Sequence, residues 1–96
     1  MFFKDPGSIT AYTIDWAPWL GTDTISSSTW IVPVGITKTS DANTTTKTTI
    51  FLSGGSQTLG TIYEITNQII TVATLKELRT FLIQMAQNKN GNWVIR

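Results

Sequence analysis

The chain has no cysteine and no histidine. The first absence excludes a disulfide framework and thiolate metal sites. The second removes the commonest general base and the commonest metal ligand. There is no marked excess of charge either: seven Lys and Arg stand against six Asp and Glu, a net charge of +1. A near-neutral chain has no electrostatic reason to seek nucleic acid or an anionic membrane. Long apolar runs are missing too. The longest are a few residues, far short of the roughly 20 a membrane helix needs. Lys4, Asp5 and Pro6 interrupt the N-terminal stretch before it could act as a secretory signal, so synthesis in a cytoplasm is expected.

What is present favours strands. The 96 residues suffice for one domain, without a linker or an internal repeat. Ser and Thr make up roughly a quarter of the chain, and Thr, Ile, Val, Trp and Tyr suit a pleated, half-buried surface. Residues 9–16 alternate, with Thr10, Tyr12, Ile14 and Trp16 set against Ala11, Thr13 and Asp15. Pro18 and Gly21 close that piece. Residues 24–32 form a second strand, broken by Pro33 and Gly35, and residues 36–40 a third. Asp41-Ala42-Asn43 reads as a turn, and residues 44–52 as a strand ending in Ser53-Gly54-Gly55, a hairpin signal. Residues 61–71, with Ile62, Tyr63, Ile65, Ile69 and Ile70, complete the regular series. Short strands with regular turn signals point to a sandwich or barrel.

Residues 75–85 are ambiguous by themselves. Leu75, Leu78, Leu82 and Met85 share a helical face, and the residue types are good helix formers. Read as a strand, Phe81, Ile83 and Met85 face in while Thr80, Leu82 and Gln84 face out. The preceding segment supplies context. Leu59-Gly60-Thr61-Ile62-Tyr63-Glu64-Ile65 resembles the turn into strand F of fibronectin III and immunoglobulin-like domains. There a Tyr packs into the core and returns its hydroxyl to upstream backbone. Trp30 stands where such a domain buries a tryptophan, and Tyr63 and Ile65 join it as expected core. A final strand must follow strand F, so residues 77–86 are expected to be that strand. The fold expected is an all-β, immunoglobulin/fibronectin III-like antiparallel sandwich of about seven strands over residues 1–86, with a tail over residues 87–96.

Further motifs carry a resemblance. In order they are Lys4-Asp5-Pro6, Tyr12-Thr13-Ile14-Asp15-Trp16, Trp19-Leu20, Asp23-Thr24-Ile25 and Thr29-Trp30-Ile31-Val32-Pro33-Val34-Gly35-Ile36. Phe51-Leu52-Ser53-Gly54-Gly55, Gly60-Thr61-Ile62-Tyr63-Glu64-Ile65-Thr66-Asn67-Gln68-Ile69 and Glu77-Leu78-Arg79-Thr80 continue the series. Together, over roughly residues 4–86, they are similar to a family of small tailed-bacteriophage and prophage proteins described as fiber–tail adaptor-type virion proteins. The resemblance implies a structural virion protein of the tail region, made in the host cytoplasm. It would bind other virion proteins, tail and fiber components, in several copies set by the particle's symmetry. It implies no enzyme activity and no cofactor. Two features depart from the pattern: Thr71-Val72-Ala73-Thr74-Leu75 lacks the family's turn glycine, and residues 87–96 are added.

Candidate chemistry is sparse. Asp15 and Asp23 flank Trp16 and Trp19, a carboxylate pair beside aromatics that a glycosidase could use. Capping a turn and bonding a loop are the plainer roles. Ser53-Gly54-Gly55-Ser56 has no Lys-Ser/Thr after it, so it is no phosphate loop. No catalytic or metal-binding residue is expected. The interaction candidates are Phe2, Phe3, Trp16, Trp19 and Leu20, together with Trp93, Val94 and Ile95 in the tail. Four tryptophans exceed what one small core needs, and Trp is enriched at binding hot spots. The alternative is that Trp16 and Trp19 close the sandwich's end. The competing functional class is a capsid-decorating or carbohydrate-binding module with Trp16 and Trp19 stacked on sugar rings.

Overall fold

The computed structural model describes residues 1–87. Its elements are β1 (Phe2–Lys4), β2 (Ile9–Asp15), the one-turn helix α1 (Ala17–Leu20), β3 (Ile25–Ile31), β4 (Ile36–Asn43), β5 (Lys47–Gly54), β6 (Ile62–Thr71) and β7 (Lys76–Met85). A four-stranded sheet runs β1-β7-β6-β3, and a three-stranded sheet runs β2-β5-β4. All pairings are antiparallel except β1 with β7, which is parallel. The fold is therefore the expected immunoglobulin-like β-sandwich.

Side-chain alternation sets the inner faces. In β2, Tyr12 is buried and Ile14 half-buried, while Ala11, Thr13 and Asp15 are exposed. The main core joins Tyr12, Trp30, Ile36, Ile50, Leu52, Ile65 and Ile83, with Tyr63 and Phe81 packed against it. Trp30 and Ile65 lie within this cluster, and Tyr63 is partly buried against it. The Tyr63 hydroxyl accepts a hydrogen bond from the Ser56 N–H at 3.0 Å, closing the tyrosine corner. The Trp30 indole N–H is buried with no acceptor among the described residues.

Residues 76–85 form a strand despite helix-forming residue types. Pairing with β6 runs unbroken from Ile62 opposite Gln84 to Ile70 opposite Lys76. That register buries Ile83 and Met85 and half-buries Phe81. Tertiary burial outweighs local propensity here. The missing turn glycine is replaced by Thr74, which adopts φ +66°. Hydrogen bonds from Thr74 N–H to Thr71 O (2.9 Å) and from Leu75 N–H to Thr71 Oγ1 (3.1 Å) hold it there. A β-branched residue in this region is uncommon.

Local differences have local causes. β4 continues through Asp41, Ala42 and Asn43, because a bulge between Lys38 and Ser40 absorbs a residue. The turn falls later, where Thr44 Oγ1 accepts from the N–H of Lys47 at 3.0 Å. Ser53-Gly54-Gly55 is not a hairpin. It carries the chain from the three-stranded sheet towards β6 in the other sheet. Gly55 has φ +108°, and a Cβ there would overlap the Met85 side chain.

Candidate functional site

β1 lies along one flank of the sandwich. Its pairing sets Phe2 opposite Ile83 and Lys4 opposite Met85, both on the inward phase. Phe3 takes the outward phase. The Phe2 ring meets the edges of Tyr12 (5.7 Å between centroids) and Phe81 (5.5 Å). Tyr12 donates its hydroxyl hydrogen to Phe3 O at 2.9 Å. A groove of about 470 Å³ runs beside this aromatic cluster, between β2 and β7. Phe2, Ala11, Tyr12, Ile14, Arg79 and Phe81 are among the residues that line it.

Lys4 is 1% exposed. Its ammonium donates to three carbonyl oxygens, Asp5 (3.0 Å), Ser8 (2.6 Å) and Gly54 (2.7 Å). One side chain thus ties β1 to the start of β2 and to the crossover after β5. Burial pushes its pKa below the usual lysine value, against the opposing pull of the Asp5 carboxylate.

A second polar cluster sits deeper. Asn67 is fully buried in the middle of β6. Its Oδ1 accepts from Trp16 Nε1–H (3.1 Å) and from the Thr48 hydroxyl (2.7 Å). Its Nδ2 donates to Ser28 Oγ (2.9 Å) and Thr29 O (3.1 Å). The amide therefore joins β6 to β3 in its own sheet and to β5 in the other. Trp16 Nε1–H is shared with Thr48 Oγ1 at 3.2 Å, and the Arg79 guanidinium lies 4.4 Å from a Trp16 ring centroid.

These contacts correct part of the interaction set. Trp16 has no exposed surface and Leu20 almost none. Both belong to a core cluster with Ile25 and Ile69. α1, with Pro18 in its first turn, tucks Leu20 under the end of the sandwich, and the Trp16 indole seals that end. Trp19 packs edge-on to Trp16 and stays about one-third exposed, while Phe2 and Phe3 are about half exposed. Trp93, Val94 and Ile95 lie outside the described residues. A sugar platform built on Trp16 and Trp19 loses one of its two rings.

The carboxylates hold turns. Asp15 accepts from the Ala17 N–H at 3.0 Å. Asp23 accepts from the N–H groups of Thr24 (2.8 Å) and Ala73 (3.3 Å). Hydrogen bonding from the Thr71 hydroxyl, then from those N–H groups, keeps the Asp23 carboxyl below its usual pKa against a desolvation cost.

A different surface emerges from register. On the outer face of the four-stranded sheet, Ile31, Ile62, Ile70 and Leu78 are each between one-third and just over one-half exposed. Phe3 shares that face, and Glu64 and Lys76 are the charged residues beside them in the β6–β7 register.

A family model described as Podophage GP4 fiber-tail adaptor protein gp77 matches residues 4–84. The chain belongs to this family. No curated protein matches it. The family match begins at Lys4, the buried anchor of β1, and ends inside β7. It spans β2 to β6 and nearly all of β7, and the family's description is that of a podophage fiber-tail adaptor.

Lys4 and Asn67 escaped the sequence reading, although a signal for Asn67 was present. Ile65, Asn67 and Ile69 share one strand phase, so the amide had to face the core. Lys4 shares a phase with Phe2, but only the pairing with β7 makes that phase inward.

Proposed function

We propose that this chain is a structural virion component that joins tail parts to tail fibers through protein–protein contacts and performs no chemistry of its own. The family match over residues 4–84 carries this reading. The exposed aromatics Phe2, Phe3 and Trp19 and the outer face of the four-stranded sheet supply apolar contact area. The apolar side chains of that sheet face are spaced there by Thr66, Gln68 and Thr80, a mixed apolar and polar surface of the kind protein interfaces present. The partners are other virion proteins, and the site of action is the tail.

The test is phage assembly with Ile31→Lys and Leu78→Lys together. Both residues are outward and about half exposed, so the fold should keep its stability to within about 0.5 kcal/mol. The expected result is particles that lose fibers or fail at the tail. Ala42→Lys, exposed on the other sheet, should assemble normally. Fully fibered, infectious particles from the double variant would remove this face from the joint.

A further inference from the structure

β1 covers β7 only at Ile83, Gln84 and Met85. On the same side, residues 76–82 have no strand neighbour among the described residues. Met85 both donates to Thr61 O and accepts from Gly60 N–H, so odd-numbered residues of β7 bond towards β6. Ladder alternation then turns the backbone groups of Leu78, Thr80 and Leu82 to the open side. The Leu78 N–H already bonds the Glu77 carboxylate at 3.1 Å. This stretch pairs with β6 without a bulge and borders the aromatic groove. It is a template for one more strand, with a pocket for that strand's inward side chains.

The chain itself carries a matching segment. Residues 88–96, outside the described structure, span up to roughly 30 Å when extended. The open stretch of β7 is about 23 Å long. Within the tail, Trp93-Val94-Ile95 combines an aromatic with two β-branched residues, behind a polar tether of residues 88–92. The charges that border the open stretch balance, Asp15 and Glu77 against Lys76 and Arg79, so the match rests on length and residue type. The same copy's tail is poorly placed to use this edge. The Ala86 N–H bonds Lys4 O, so the chain leaves beside β1 and would have to pass over β1 to reach residues 76–82. The tail of a neighbouring copy meets no such barrier.

We propose that Trp93-Val94-Ile95 of one copy adds as a strand to residues 76–82 of β7 in a second copy, with the Trp93 ring in the groove lined by Phe2, Tyr12 and Phe81. Each copy offers one groove and one tail, so the contact is heterologous and propagates into a ring or a chain of copies. This inference concerns self-association and stands apart from which virion joint the protein occupies.

Two full-length variants and their mixture test it. Thr80→Pro removes a backbone donor on the open side, where the β6 ladder is not broken. Trp93→Ala with Ile95→Ala disarms the tail. Sedimentation should find the parent self-associating, and each variant alone weakened roughly 30-fold or more. An equimolar mixture should form a one-to-one dimer, because the Thr80→Pro copy keeps its tail and the other keeps its groove. A parent that stays monomeric, a Thr80→Pro copy that associates like the parent, or a mixture that stays monomeric would each overturn the proposal. A monomeric parent whose Trp93 is shielded from quenchers would place the tail on its own copy instead. Thermal melting of each variant separates lost association from lost folding.

Discussion

The two flanks of the sandwich are built differently. On the flank of β3 and β4, both strands carry bulges, at Ile25/Ser27 and Lys38/Ser40. β4 is polar, buries only Ile36, and holds a Lys38–Asp41 ion pair. Bulges and charge are how sheet edges avoid unwanted pairing. On the flank of β2 and β7, the pairings of β2 with β5 and of β6 with β7 have no bulge, and aromatic rings line the gap. Each flank also has its own buried polar anchor. Asn67 joins the β3 side to both sheets with a neutral amide that makes four hydrogen bonds. Lys4 pins a three-residue strand with a charge and three backbone carbonyls. One flank ends in two bulged, polar edges, and the other is covered in part by β1.

Removing the Asn67 amide should have the largest effect. Asn67→Ala leaves Thr29 O and the polar groups of Ser28 and Thr48 short of a partner and opens a cavity. The expected loss is about 3 kcal/mol, a large part of a small domain's stability. A urea midpoint shows it directly. A loss below about 1 kcal/mol would mean that the β3 side of the sandwich does not depend on this amide.

Lys4→Met should cost less, about 1–2 kcal/mol, because losing three hydrogen bonds is partly offset by no longer burying a charge. The damage should also be local. Amides of β1 and Ala86 should exchange faster, while those between β3 and β6 keep their protection. Uniform loss of protection would contradict the idea of separate anchors. The pH dependence has a definite sign. The folded pKa of Lys4 lies below 10.5, so the native state releases this proton before the unfolded state does. The parent should therefore gain stability relative to Lys4→Met as pH rises from that lowered value towards 10.5.

The two flanks were unequally legible in the sequence. Alternation at Tyr12 and Ile14, and the spacing from Leu59 to Tyr63, carried the sandwich and its corner. β7 needed the fold as context, since Leu78, Leu82 and Met85 also suit a helix and only pairing with β6 decides between them. β1 was opaque because a three-residue strand has too little pattern to show a period. The tryptophans misled for a physical reason. A buried Trp needs an acceptor for its N–H. Nothing near Trp16 in sequence announces Asn67, which lies 51 residues away. The β3–β4 flank hid its bulges, because an extra residue in a Thr- and Ser-rich strand leaves no trace in an already weak alternation.

Asp23 gives the smallest expected effect and tests whether the end of the sandwich near β3 is held independently of either anchor. Its carboxylate ties the turn before β3 to the Ala73 N–H in the β6–β7 turn. Its folded pKa lies below the ordinary 3.8, so the contribution is present above about that pH and is lost as pH falls through the lowered value. Asp23→Asn should therefore lower the urea midpoint slightly at neutral pH, and the gap to the parent should shrink in acid. The exchange rate of the Ala73 amide should rise in the variant, while that of Ala86 stays as it was. A gap that does not change with pH would assign the loss to altered turn geometry, not to the carboxylate's charge.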